Sequence, residues 1–450
     1  MIKFYSNLLQ AKFSWVSIVF VTALLISAST QAAIKGVSGT NFGLTASEGY
    51  ISVADGGSIY SWGYSDGTNA MQLPGPTLIV TEGDTVTVTL TNNLPAAAGN
   101  VSIVFPGHNV TVSGGVPGVT TQEAINAGLV TYTFTAGVPG TYQYHSGTQT
   151  DLQVEMGLYG ALIVRPAQVA AGCTNSAYNH PSTCYDREYL YLLSEVDIDI
   201  HNAALAQSKG NGPIVLPTGS FTSEYWLMNG RAAPDTMASS GTDLLPHQPY
   251  DAMTRMHPGE KVLMRVIGAG REMHPFHHHG NHARVLARDG RLLLSEADST
   301  KLAGPLLFTI PSVPGGTTDA IFEWTGKDLG WDMYGHTDSD GSVCVDANND
   351  GYDDADGLNN DWEWCGDHGK PIPVTLPSLS SLAFGGFYSG SPYLGALGSL
   401  PPGEGGLNPD AGFAYMWHSH TEREMVNNDV FPGGMMTILI VEAPWVTITE

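Results

Sequence analysis

The chain is expected to be all-β, folded as two sandwich or barrel domains joined by a short linker. Three observations predict this. Gly and Pro are abundant, at 54 and 27 of 450 residues, while helix-forming charged stretches are scarce. Short segments of alternating apolar and polar residues recur between turn signals. The length is enough for two or three domains with well-buried cores.

Residues 1–32 read as an export signal. Lys3 and Lys12 supply positive charge, Trp15 to Ile26 is mostly apolar, and Thr30 and Ala32 are the small residues read by a signal peptidase, with cleavage before Ala33. The apolar run is shorter than the roughly 20 residues a spanning helix needs. No later segment is long and apolar enough, so no membrane span is expected after cleavage, and the location expected is periplasmic or extracellular. The formal charge of −25 becomes about −27 once two lysines leave with the signal. Such a surface repels nucleic acid and anionic membranes.

The first domain is placed at 45–166. Thr85-Val86-Thr87-Val88-Thr89-Leu90 sets apolar residues on one face and threonines on the other, and Asn92-Asn93-Leu94-Pro95 reads as a turn. Val130–Phe134, Gly140–His145 and Gly160–Val164 continue the pattern. Residues 167–187 form a linker, and 188–445 form the second domain, opened by Tyr189–Leu193, continued by Lys261–Val266 and closed by Thr437–Val441. A Gly/Pro/Asp-rich insertion at about 328–410 reads as a surface excursion from the second domain. The four cysteines form two local pairs, and in an exported chain Cys173–Cys184 and Cys344–Cys365 are the expected bridges.

Two segments concentrate histidine: His274-Pro275-Phe276-His277-His278-His279-Gly280 and Trp417-His418-Ser419-His420. Residues two apart on a strand point to the same face, so His277 with His279, and His418 with His420, can each present two imidazoles to one metal or to adjacent metals. Imidazole suits copper, zinc, iron and nickel. His145 is a further single candidate.

These two segments resemble the third and fourth copper motifs of the multicopper oxidases. Further matches support the resemblance. Pro74-Gly75-Pro76-Thr77 with Glu82-Gly83-Asp84 is similar to the opening of the family's first domain, and Tyr142-Gln143-Tyr144-His145-Ser146 to its second copper motif. Met228-Asn229-Gly230-Arg231 is similar to the start of its last domain. The resemblance implies two cupredoxin-like Greek-key domains, a copper cofactor and oxidoreductase activity on a small-molecule or metal-ion substrate. Having two domains, the chain is nearest the small two-domain branch, whose copper cluster forms between neighbouring subunits of a homotrimer.

The chain also departs from that pattern. Of the family's type 1 ligands, His274 matches the first, Ser419 stands where the cysteine belongs, and Glu424 stands where the second histidine belongs. Without a thiolate no blue-copper centre forms. His274 and Glu424 are read either as a hydrogen-bonded pair or as a degenerate metal site. Of the eight trinuclear histidines five remain: His145, His277, His279, His418 and His420. The first motif is replaced by Val104-Phe105-Pro106; His108 nearby reads as a substitute ligand or an ordinary turn residue. The resemblance implies that His145 and His420 share one copper, and His279 and His418 another.

In the insertion, Asp338-Ser339-Asp340-Gly341 and the run Asp346 to Asp354 resemble calcium loops. Asp346, Asn348, Asp350, Tyr352 and Asp354 would supply ligands, although the closing acid of an EF-hand is absent at Gly357. Three functions are thus weighed: a copper oxidoreductase without type 1 copper, a non-catalytic copper-binding or tolerance protein, and a structural module with relic histidines. Losses confined to the first domain and the type 1 positions favour a working, altered metal site.

Overall fold

A computed structural model describes residues 34–67, 70–210, 212–216, 219, 221–327, 344–354, 363–370, 391–393, 412–442 and 446–448. The expected signal (1–32) and Asp338–Gly341 lie outside the described residues.

Alternation builds the first pair of sheets. In Thr85–Asn93 the side chains of Val86, Val88 and Leu90 are buried and the intervening threonines are partly exposed. This strand lies parallel to Asn41–Ser52 and antiparallel to Leu129–Thr135, and Ser58–Ser65 and Thr111–Gly114 complete a five-stranded sheet. The facing sheet runs in the order Val37–Ser38, Gly75–Thr81, Tyr159–Arg165, Gly140–His145. Between them lies a core that includes Trp62, Tyr64, Tyr132, Tyr144 and Leu162.

The second half repeats the plan. One sheet has the order Tyr225–Met228, Arg187–Val196, Lys261–Gly268, Thr317–Glu323, Ala283–Arg288, Arg291–Leu292. The other has Thr254–Met256, Met436–Val441, Gly412–Ser419, His274–His278, Thr309–Ser312. Phe276, Trp324, Tyr415 and Trp417 fill the core between them. This is an all-β architecture of two sandwiches. From the insertion, Ser391–Tyr393 pairs with Gly412–Ser419 and so adds a short strand to this sheet. The helix Ile198–Gln207, which strand periodicity does not announce, starts where the Asp197 carboxylate accepts the amides of Asp199 and Ile200. Both disulfides form as expected, Cys173–Cys184 and Cys344–Cys365.

A buried polar network fastens the halves. The Asp319 carboxylate accepts from the Thr141 hydroxyl and the Tyr178 hydroxyl, each at 2.5 Å. Arg265 donates to Thr141 Oγ1 at 3.0 Å and to Glu188 Oε2 at 3.0 Å, and Arg165 pairs with the same Glu188. Arg265 is fully buried. Burial disfavours its charge, yet Glu188 and Asp319 hold it protonated above the usual guanidinium range. Removing one partner of such a network strands the others in a low dielectric. Arg265→Met is therefore expected to cost about 3–5 kcal/mol of unfolding free energy, read from urea denaturation monitored by tryptophan fluorescence.

Candidate metal centre

Strand pairing assembles the histidines. His274–His278 runs antiparallel to Gly412–Ser419, with His277 opposite His418, Phe276 opposite Ser419 and His278 opposite Trp417. Phe276 and Trp417 face the core, so His277 and His418 share the other face. The rings of His277 and His279 lie 4.8 Å apart, those of His277 and His420 4.8 Å, and those of His277 and His418 5.4 Å. His279 and His418 face each other with Nε2 atoms 3.3 Å apart. One ligand atom from each of His277, His279 and His418 falls within 4.8 Å of the others.

Protonation state is set locally. His418 Nδ1 lies 2.7 Å from the carbonyl of Ser419, an acceptor only, so Nδ1 carries the hydrogen and Nε2 presents its lone pair. His277 Nδ1 is anchored to Thr309 Oγ1 at 2.8 Å. Burial, reinforced by the neighbouring imidazoles, lowers His277 to about 3. Burial also lowers His418, to about 4, against its Ser419 hydrogen bond. Both rings are neutral near pH 7, as metal ligation requires. A converging set of neutral nitrogen donors fits copper.

The other candidates have surroundings of their own. His145 sits at the end of Gly140–His145, bridged to Val104 of the replaced first motif, and lines an interdomain cleft with Ala269, Gly270 and Arg271. The converging group among the described residues is His277, His279 and His418, which contains neither His145 nor His420. Gly140–His145 packs against Lys261–Gly268 and Thr317–Glu323, which belong to the second domain's other sheet. His108 packs against the rings of Phe134 and Tyr142, with Nδ1 on the Pro106 carbonyl.

At the type 1 positions the arrangement is ionic. His274 is fully buried, with Nδ1 2.9 Å from Glu424 Oε2 and Nε2 3.0 Å from Glu195 Oε2. Both ring nitrogens are therefore engaged by carboxylates. Of the two readings of His274 and Glu424, these contacts are those of the hydrogen-bonded pair. Sequence reasoning missed Glu195, which lies 79 residues from His274 and carries no local signal. Ser419 is buried beside them and accepts the Thr421 amide, and all four cysteines are committed to disulfides elsewhere.

In the insertion, Asp346 accepts the amides of Asp350 and Gly351, Asp350 accepts that of Tyr352, and Asp354 accepts those of Ala347 and Asn348. Cys344 and Cys365 also approach Asp353, but their sulfurs are bonded to each other and offer no thiolate.

Residues 63–169 match the family model described as multicopper oxidase. An L-ascorbate oxidase of Brassica rapa subsp. pekinensis is 37% identical over 148 residues, 30% of this chain and 23% of that protein. Copper resistance protein A of Pseudomonas syringae pv. tomato is 26% identical over 325 residues, 66% of this chain and 49% of that protein. The chain is thus similar to the multicopper oxidases over part of its length. It spans less than half the length of these two relatives. Among solved structures, the multicopper oxidase mgLAC matches with TM-score 0.52 at 21% identity, covering 91% of this chain and 88% of that one. A blue copper oxidase from Nitrosomonas europaea matches with TM-score 0.51 at 19% identity, covering 89% and 85%. These likenesses establish the cupredoxin fold of the two sandwiches. These matches imply copper as the cofactor, and His277, His279 and His418 are converging nitrogen donors of a kind copper accepts.

His274 makes stability depend on pH. Burial opposes its charge, but the hydrogen bonds to Glu195 and Glu424 prevail and raise it to about 9. A raised folded value stabilises fully below the unfolded value of about 6.5 and is lost as pH climbs through the folded one. Metal-free protein is expected to lose about 3 kcal/mol between roughly pH 6 and 10, and His274→Gln is expected to flatten that dependence in denaturant titrations.

Proposed function

We propose that this chain is a multicopper-oxidase-like copper oxidoreductase working at a histidine centre in its second domain, without type 1 copper. The reading rests on the 3.3 Å approach of His279 Nε2 and His418 Nε2 beside His277. His277, His279, His418 and His420 would hold the metal, and bound copper would supply one-electron redox chemistry. The Ser419 carbonyl and the Thr309 hydroxyl orient two of the rings. His420 is exposed and marks the side from which a small-molecule or metal-ion substrate would reach the centre. With no thiolate available to relay charge, electrons enter from a substrate bound at the histidines themselves.

Non-catalytic copper binding or tolerance is the second reading, favoured by the match to copper resistance protein A. Turnover separates the two. Copper-loaded protein supplied with a phenolic or metal-ion reductant is expected to consume dioxygen and to show no intense blue Cu–thiolate band. The combined variant His277→Ala, His418→Ala is expected to lose both bound copper and oxygen uptake. Copper binding without oxygen uptake favours the tolerance reading, and a strong blue band refutes the absence of type 1 copper.

No helix among the described residues is long and apolar enough to cross a membrane, and two disulfides accord with a periplasmic or extracellular site. Calcium in the Asp346–Asp354 loop belongs to the same proposal, as an ion bracing an exported chain. A homotrimer is also proposed, on the resemblance to the two-domain branch. Light scattering is expected to give three times the chain mass; a monomer rejects that assembly.

A further inference from the structure

The cleft between the domains has a cavity of about 430 Å³ whose lining includes Gln143, His145, Thr150, Asp151, Gly270 and Arg271. Gln143 and His145 are two apart on Gly140–His145 and so project to the same side of the strand. Gln143 is only 3% exposed, and its Oε1 is buried with no hydrogen-bond partner among the described residues. An orphaned buried amide oxygen costs about 1–3 kcal/mol unless something fills its valence, so it points to a ligand. His145 is prepared in the same sense. Its Nδ1 sits 2.9 Å from the Ser146 carbonyl, so the hydrogen is there and Nε2 carries a lone pair.

The electrostatics favour a cation. Among the described residues lining the cleft Arg271 is the one cationic side chain, and its Nε lies 3.3 Å from Glu155 Oε2, with another nitrogen on the Asp151 carbonyl. Glu195 stands directly behind Gly270, where an added Cβ would fall 2.0 Å from Oε2, and its own carboxylate is engaged by His274. Asp151, which also lines the cleft, adds an acidic side chain to it. The open donor atoms are an imidazole nitrogen, an amide oxygen and a carboxylate, a set that divalent transition metals accept.

We propose that this cleft is a mononuclear divalent-cation site for copper(II) or zinc(II), with His145 Nε2 and Gln143 Oε1 as protein ligands and Asp151 as the charge partner. It is separate from the histidine cluster of the second domain and uses His145 within its own chain, in place of the neighbour-supplied role a trimer would give it.

The test uses the full chain carrying His277→Ala, His279→Ala, His418→Ala and His420→Ala, titrated with Cu²⁺ and with Zn²⁺ by equilibrium dialysis, and with EPR for copper. One ion per chain is expected, with an EPR pattern of a single coordinating imidazole. Adding Gln143→Leu is expected to weaken binding at least about tenfold, whereas Gln143→Glu keeps or strengthens it. Binding no tighter than in the variant also lacking His145 overturns the proposal, as does an unchanged affinity in the Gln143→Leu variant. If the parent variant fails to fold, His145→Ala in the otherwise native chain is expected to remove one copper and leave the remainder; unchanged stoichiometry overturns the proposal. Because the second-domain histidines are absent in the main test, its result is independent of the oxidase reading.

Discussion

The antiparallel register between His274–His278 and Gly412–Ser419 is the constraint on which the candidate chemistry depends. Pairing His277 with His418 puts His277, His279, His418 and His420 on one face, and turns Phe276 and Trp417 into the core on the other. A slip of one residue would exchange the faces, burying imidazoles and exposing the aromatic residues. The two strands are neighbours in the interior of a five-strand path, so hydrogen bonds on both sides hold that register.

The same strand pair serves two purposes because its faces alternate. On the face opposite the cluster lie His274 and Ser419, where a thiolate metal site would need its ligands. There the chain places a ring between two carboxylates, Glu195 and Glu424. A protonated imidazole between two acids is held by charge-assisted hydrogen bonds, and this compensates the carboxylates where a metal ion otherwise would. The two faces therefore hold their histidines in opposite states. Carboxylates keep His274 cationic, while burial and mutual repulsion keep His277 and His418 neutral and able to ligate.

Domain docking decides which groups face one another across the interdomain cleft. The Asp319–Thr141–Arg265–Glu188 network fixes Gly140–His145 against the second domain's first sheet. His145 consequently lines a cleft with residues 269–271. The linker takes part through Tyr178, so it is a structural part of the junction and more than a tether.

Much of this was readable in the residues alone. Alternation is a local property, so Val86, Val88 and Leu90 declared their strand and its buried face. Histidines spaced by two declared a shared face for the same reason, and the absence of cysteine from the His274 and Ser419 segments excluded a thiolate at that position. Proximity across the fold is different, because it depends on which strands become neighbours and in what register. Only the tertiary structure brought Glu195 to His274 and added Ser391–Tyr393 to a sheet. It alone set His279 against His418 and left His145 in a cleft of its own. Local sequence determines which face a side chain occupies; the packing of distant strands and domains determines what that face meets.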